Sequence, residues 1–487
     1  MPKKINSKLN KKKSSTPKTN AGTQLVFLLI LFQIVIFLIL YNSDRGTAYL
    51  YMLAPLSVII FGGWIIVYRF HAETAFFLAA AMLLTFGTMI QCMLMDEDGM
   101  PTSLMIFYGL AFAAGLVSAI LYRRLPILAS AQAVAVFIVL SVLMYMGTLV
   151  LGVAGAGGVT NWIAIGPIRF QPSEFIKGLY VLIMAGLLCT KDNPGRKRIL
   201  MACLITIINL GFLVLQGEFG TILLILGTFL CLMFLFVPDI RVFGAVLAAL
   251  AALGALGVGF CSMLLKIGGS NFIVRQVQKI VNRFAPWIYL NFGLNPTNLT
   301  SEEYQNANYQ VLQGRKALLN SGLFGSDTTT YIPNKVNDSV FPALTESCGI
   351  FIAGFVCVLF AMLLVRGTRI FFQCTDRYHQ AVAAGLTFQL VLQSLIIIGG
   401  SIGILPLTGI TLPLISLGGS SLISTFMFLA VILTISAGNL WDGRRDYTAY
   451  ESKLQKARSV HAQRIPNMRD RNRRRSSMDN IRKSRKS

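Results

Sequence analysis

The chain has 487 residues, of which 55% belong to the AVILMFWYC set and only 13% are charged, with formal net charge +23. Its mean hydropathy is +0.65. So little charge cannot cover the surface of a water-soluble protein of this size, which excludes a soluble globular enzyme and disordered or fibrous chains, and leaves a polytopic membrane protein.

In chain order, residues 1–22 hold seven Lys and no acid, and residues 441–487 hold 15 Lys and Arg against five acids, so most of the net charge sits at the two ends. Neither tail has the apolar content to fold alone. Both are read as disordered cytosolic segments beside an anionic leaflet, with no nucleic acid as partner. A helix needs about 20 apolar residues to cross the hydrocarbon core. Twelve such runs lie between the tails, at about 24–41, 48–68, 74–95, 103–122, 126–152, 174–190, 199–215, 219–237, 243–265, 340–365, 381–400 and 413–437. The first has a basic flank but no small-residue cleavage site after it, so it is read as a span. Short loops with Arg69, Arg123, Arg124, Lys191, Arg196 to Arg198, Arg241, Arg366 and Arg369 alternate with poorer ones that include Asp96, Glu97 and Asp98. The positive-inside rule then puts both termini in the cytosol and the acidic loop outside. The expected fold is all-α, with two large external segments, 153–173 and 266–339. The second lies between passes nine and ten and is too long for a simple connector; its Phe272, Phe284, Trp287, Tyr304, Tyr309, Phe324 and Tyr331 argue that it is ordered.

Ionisable groups at the edge of a span usually face the bundle interior or a cavity. Glu174 and Lys177 open the sixth run at i,i+3 spacing, on one helix face, either as a mutually neutralising pair or as a charged wall of an outward cavity. Glu218 sits in the near-absent loop between runs seven and eight, as a turn glutamate or a cavity group. Arg275, Lys279 and Arg283 recur at i, i+4, i+8, with Ile273, Val277, Ile280 and Phe284 away from them. A helix of this kind over 272–284 rests on lipid headgroups, or turns its cations to the phosphates of a lipid-linked substrate. Asn337 and Asp338 precede the tenth run, where an Asp is a favoured N-cap; the alternative is a general base at the membrane surface. Gln389, Gln393 and the Gly418-Gly419-Ser420-Ser421 string are read as helix–helix contacts. Eight scattered Cys without a CxxC and three separated His give no expectation of a disulfide framework or a zinc site.

Taken in order, these strings resemble the SEDS family (shape, elongation, division and sporulation), which includes FtsW, RodA and SpoVE. The resemblance is carried by Trp162-Ile163, Phe170-Gln171-Pro172-Ser173-Glu174 with Lys177, Gln216-Gly217-Glu218-Phe219-Gly220-Thr221, Tyr309-Gln310 and Gly322-Leu323-Phe324-Gly325. It continues through Asn337-Asp338, Glu346, Gly349, Gly403, Leu412-Pro413 and Ser416-Leu417-Gly418-Gly419-Ser420-Ser421, covering about 150–437. It implies a ten-helix core preceded here by two extra N-terminal spans. The organisation is then a tail over 1–22, N-terminal spans over 23–152, a catalytic membrane core over 153–440 with its external loop 266–339, and a tail over 441–487.

The same resemblance implies a bacterial peptidoglycan glycosyltransferase. Such an enzyme polymerises lipid II, a disaccharide-peptide on undecaprenyl pyrophosphate, at the outer face of the cytoplasmic membrane, in division, elongation or sporulation, beside a class B penicillin-binding protein. The family's essential loop aspartate maps onto Asp338, which would take the proton of the acceptor GlcNAc 4-hydroxyl. Lys177, Arg275, Lys279 and Arg283 would meet the departing diphosphate. Glu174 would orient Lys177, with Gln171, Glu218 and Glu346 as supporting residues. A divalent cation (Mg or Mn) could share the leaving-group role, although no dedicated metal cage is visible. Departures from the family pattern are Asn161 for an Arg, Gly217 and Glu218 for Pro and Asp, Asn334 and Val336 where Glu and His are common, and Ile397 for an Asn. The competing readings are a flippase or transporter of lipid-linked precursors, although the two halves share no visible motif repeat, and a non-catalytic scaffold for wall-synthesis partners.

Overall fold

The computed structural model describes residues 18–41, 46–94, 100–124, 128, 130–153, 161–165, 168–189, 195–267, 272–293, 302–326 and 330–438. The chain forms two units, Met1–Ser436 and Ala437–Ser487. The tail expected over 441–487, and residues 1–17 of the other tail, lie outside the described residues.

The helices are α1 (Lys18–Tyr41), α2 (Gly46–Phe70), α3 (Thr74–Leu94), α4 (Met100–Arg124), α5 (Ala131–Leu151), α6 (Pro172–Leu188), α7 (Arg196–Gln216) and α8 (Phe219–Phe236). They continue as α9 (Ile240–Ile267), α10 (Phe272–Phe292), α11 (Glu302–Asn320), α12 (Val340–Gln373), α13 (Arg377–Ser401) and α14 (Gly419–Gly438). Ten are long and apolar enough to cross a membrane. The two other expected runs coincide with α1 and with α6, which has 17 residues. Phe27, Val58, Val150, Leu200, Leu256 and Val365 stand exposed on these helices, an apolar exterior that suits acyl chains rather than water. The most enclosed spans are α3 and α13. Helix α3 packs on α12, while α13 packs on α6, α8 and α12.

The all-α fold carries one short addition that the sequence did not announce. A three-stranded antiparallel sheet occupies the expected external segment 153–173, with β1 (Gly152–Val153), β2 (Trp162–Ile165) and β3 (Ile168–Phe170) in the order β1-β2-β3. Ile163 pairs with Gly152 on one side and Phe170 on the other. Strands of two to four residues carry too little periodicity to stand out in a sequence. Strand β3 delivers the chain to Pro172 at the first turn of α6, where a missing N–H is harmless.

Within segment 266–339 the described residues form α10, α11 and the turn before α12. The helix expected over 272–284 extends to Phe292 and packs on protein. Phe284 meets Phe219 edge-on, with ring centroids 4.6 Å apart. Trp287 Nε1 donates to Ile404 O at 3.0 Å, and Asn291 Nδ2 donates to Gly403 O at 3.0 Å. Helix α12 is broken at Gly349, with φ 86°. The Gly322–Gly325 turn docks into that break, its Gly322 and Leu323 carbonyls accepting from Ile350 N at 3.2 Å and Phe351 N at 3.3 Å. A Cβ on Gly349 would lie 2.3 Å from Leu323 O and 2.5 Å from Gly325 N. Gly349→Ala is therefore expected to destabilise the fold by about 2–4 kcal/mol, combining a left-handed backbone with overpacking. Thermal unfolding in detergent measures it, and an unchanged Tm would contradict this account of the break.

Candidate functional site

Three neighbouring constructions hold the residues singled out in the sequence. The first is a buried ion pair at the start of α6. Lys177 Nζ lies 2.8 Å from Glu174 Oε2, with the two side chains 1% and 5% exposed. Lys177 also donates to Gln393 Oε1 of α13 at 3.0 Å, and Ser424 Oγ of α14 donates to Glu174 Oε2 at 3.2 Å. Glu174 lies in the first turn of α6, where the positive end of the helix favours a carboxylate. The pair is closed and sequestered, so Lys177 braces α6, α13 and α14 here rather than facing a cavity.

The second construction is the α7–α8 hairpin. Gly217, at φ 72°, caps α7 in the left-handed region, which proline cannot adopt. The hairpin buries Glu218, whose Oε1 accepts from Ser173 Oγ at 3.0 Å and Gln171 Nε2 at 3.2 Å, and whose Oε2 accepts from Thr221 Oγ1 at 2.9 Å. Burial pushes its carboxyl above the usual carboxylate range, against the pull of these three donors. An acid raised in the folded state holds a proton that the unfolded chain has released. Its contribution to stability is therefore lost as pH climbs from about 4, the ordinary range, through the raised value. Glu218→Gln is expected to remove that loss. Its Tm should fall less steeply with pH than the wild type's, and a parallel decline would contradict the burial argument.

The third is the turn carrying Asp338. The backbone N-cap position of α12 falls on Ser339, one residue after Asp338. Asp338 is half-buried. The residues around it are held on several sides. Asn334, at φ 53°, accepts at its carbonyl from Asn337 N at 3.0 Å and Ser339 N at 3.2 Å. Val336 O accepts from Leu417 N at 2.8 Å, and Asn337 O accepts from Ser416 Oγ at 2.7 Å. Gln310 Nε2 of α11 donates to Ser339 Oγ at 2.8 Å. Val336 thus serves through its backbone carbonyl.

The segment 411–421 ties these constructions together. Gln393 Nε2 donates to Thr411 O at 2.7 Å, and Leu412 N donates to Ser416 Oγ at 2.8 Å. Gln171 N donates to Ser420 Oγ at 3.0 Å. One stretch of chain therefore braces both the Glu174–Lys177 pair and the Asp338 turn. Glu346 anchors the external loop instead: its Oε1 accepts from Thr330 N at 3.1 Å and from the Thr330 hydroxyl. Arg275, Lys279 and Arg283 lie on α10, but their side chains are outside the described residues. Gln393 makes the interhelical bonds expected of it. Buried Gln389, one turn away, finds no hydrogen-bond partner among the described residues for either amide atom. Sequence reasoning also passed over Gln91 of α3, although an amide in an apolar run is itself a signal. Among the described residues no three His, Cys, Asp or Glu side chains gather as a metal site.

The family model FTSW_RODA_SPOVE, described as a cell cycle protein, matches residues 73–439. The chain is 30% identical over 298 residues to stage V sporulation protein E of Bacillus subtilis, covering 58% of this chain and 74% of that protein. It is 30% identical over 309 residues to the probable peptidoglycan glycosyltransferase FtsW of Legionella pneumophila, covering 60% and 71%. Among solved structures, one of a peptidoglycan synthase complex, described as coordinating polymerization and crosslinking, aligns with TM-score 0.58 at 21% identity over 76% of this chain and 98% of that one. The rod shape determining protein RodA of Thermus thermophilus aligns with TM-score 0.51 at 22% identity, over 75% and 96%. The family match begins at the start of α3, so α1 and α2 lie outside the matched residues. By these matches this multi-pass membrane chain belongs to the FtsW, RodA and SpoVE family.

Proposed function

We propose that the chain is a peptidoglycan glycosyltransferase that polymerises lipid II at the outer face of the cytoplasmic membrane, with Asp338 as general base and both termini in the cytosol. The observation that carries this reading is the Asp338 turn: a half-buried carboxylate outside the spans, on backbone anchored from α11 and the 411–417 segment. The relatives' names supply the reaction class.

A sugar hydroxyl is a weak nucleophile and needs a base as its bond forms. In this reading Asp338 accepts the proton of the acceptor GlcNAc 4-hydroxyl. That oxygen bonds to the anomeric carbon of the MurNAc unit as the carbon–diphosphate bond breaks, and inversion gives a β-1,4 link. Undecaprenyl diphosphate leaves with the negative charge, and Arg275, Lys279 and Arg283 are the proposed cations for it. Lys177 is assigned bracing instead, because its ammonium is taken by Glu174 and Gln393. A divalent cation is given no step: Glu174, Glu218 and Glu346 are each engaged by protein donors, which fits a metal site poorly. A class B penicillin-binding protein is the proposed partner.

Purified chain supplied with such a partner and lipid II should form glycan strands. Movement of lipid II across the membrane without polymer would support a flippase instead.

A further inference from the structure

Helix α3 carries one feature that the reaction scheme has not used. Its buried threonines Thr85 and Thr88 donate to the carbonyls of Ala81 and Leu84, one turn back in the same helix. Gln91 does not turn back. It is 2% exposed, and its Nε2 donates out of the helix to two carbonyls at once, Val336 O at 2.9 Å and Ile415 O at 2.8 Å. The first belongs to the turn that carries Asp338; the second belongs to the segment whose Ser416 and Leu417 hold Asn337 O and Val336 O. One amide therefore pins both halves of the backbone clamp around the aspartate.

A second observation on α3 points the same way. Gly87 lies one turn before Gln91, on the same helix face. A Cβ there would stand 2.1 Å from Leu414 O and 2.8 Å from Ile415 Cα. Leu414 is itself held at φ 65°, a conformation that a bulky residue keeps only when its surroundings dictate it. The glycine lets α3 approach the strained turn, and the amide one turn later fastens it. Gln91 Oε1 has no hydrogen-bond partner among the described residues, and the side chain lines a small cavity with Tyr108, Ser416 and Gly418. Donation to the two carbonyls is thus the bonding the described structure shows for this amide.

We infer that Gln91 is a positioning residue for Asp338: it sets the distance between the carboxylate and the acceptor hydroxyl without touching substrate. The inference rests on the general-base reading above. Misplacement of a reacting group by about 1 Å can lower a rate about 100-fold. Loss of the Gln91 bonds acts through such a displacement.

The test uses the full chain with its penicillin-binding protein partner and lipid II as substrate, comparing wild type, Gln91→Leu, Gln91→Asn and Gln33→Leu. Gln33 of α1 is the control. It is fully buried and donates to Thr85 Oγ1 of α3 at 2.8 Å, not to the turn. Gln91→Leu and Gln91→Asn should lower kcat about 10- to 100-fold with KM within about twofold. They should also speed hydrogen exchange at the amides of 336–339. Gln33→Leu should lower Tm by a similar amount yet leave kcat and exchange in the turn near wild type. Equal kcat in Gln91→Leu and Gln33→Leu, unchanged exchange in the turn, or a loss confined to KM would overturn the inference. If Gln91→Leu does not fold, Gln91→Asn and the exchange measurement decide. A wild type without polymer, or an active Asp338→Asn, would sink the underlying reading instead, so the two failures are distinguishable.

Discussion

Asp338→Asn should fold like the wild type and polymerise lipid II about 10²- to 10⁴-fold more slowly, the usual span for removing a general base. The substitution keeps the shape but replaces a charged, proton-accepting oxygen with an amide nitrogen that can only donate. The anchors of the turn run through Asn334, Val336, Asn337 and Ser339, so the backbone has its supports whichever side chain stands at 338. Tm should therefore move little while kcat collapses. KM should change much less than kcat, because the lost interaction belongs to the transition state. A variant that loses kcat and Tm together would point to a structural role for the carboxylate.

Lys177→Met should show the largest stability effect. It leaves the Glu174 carboxylate 5% exposed, with Ser424 as its remaining donor. Removing one partner of a buried pair typically destabilises by about 3–5 kcal/mol. It also cuts the bond to Gln393, whose other end holds Thr411 O. The double variant Glu174→Gln with Lys177→Met takes out both charges and should recover most of that loss, so the two single effects should be strongly non-additive in chemical denaturation in detergent. Activity adds a second reading. If Lys177 braces the bundle, the double variant regains polymerisation along with its fold. If it regains the fold alone, the ammonium has a direct part at the diphosphate.

The spans were legible because a membrane helix writes its burial into composition: each of the twelve apolar runs contains a helix, and ten of these helices are long and apolar enough to cross a membrane. Helix α11 was less visible. Its sequence, with Glu302, Glu303, Gln305, Asn306 and Asn308 at its start, has no apolar run, and it is ordered by packing against α10 and α12. The sheet over 152–170 was invisible for want of length. At the site, the i,i+3 spacing of Glu174 and Lys177 showed that they share a face, but their third partner, Gln393, is 216 residues away in sequence. The same distance problem hid Gln91, whose acceptor Val336 is 245 residues along the chain. Asp338 could be read locally as a helix cap, and only the backbone geometry assigns that position to Ser339. Local pattern gives faces and turns; the contacts that join them come from packing.

On the proposed reading, a carboxylate held beside the membrane by α11 and the 411–417 segment takes a proton from a sugar as a polyprenyl diphosphate departs. Glycan formation from lipid II by equal amounts of folded wild-type and Asp338→Asn chains, each with the same partner, tests it most directly. Strands from the wild type and a rate at least about 10²-fold lower from Asp338→Asn are the predicted result; polymer from Asp338→Asn at the wild-type rate would contradict it.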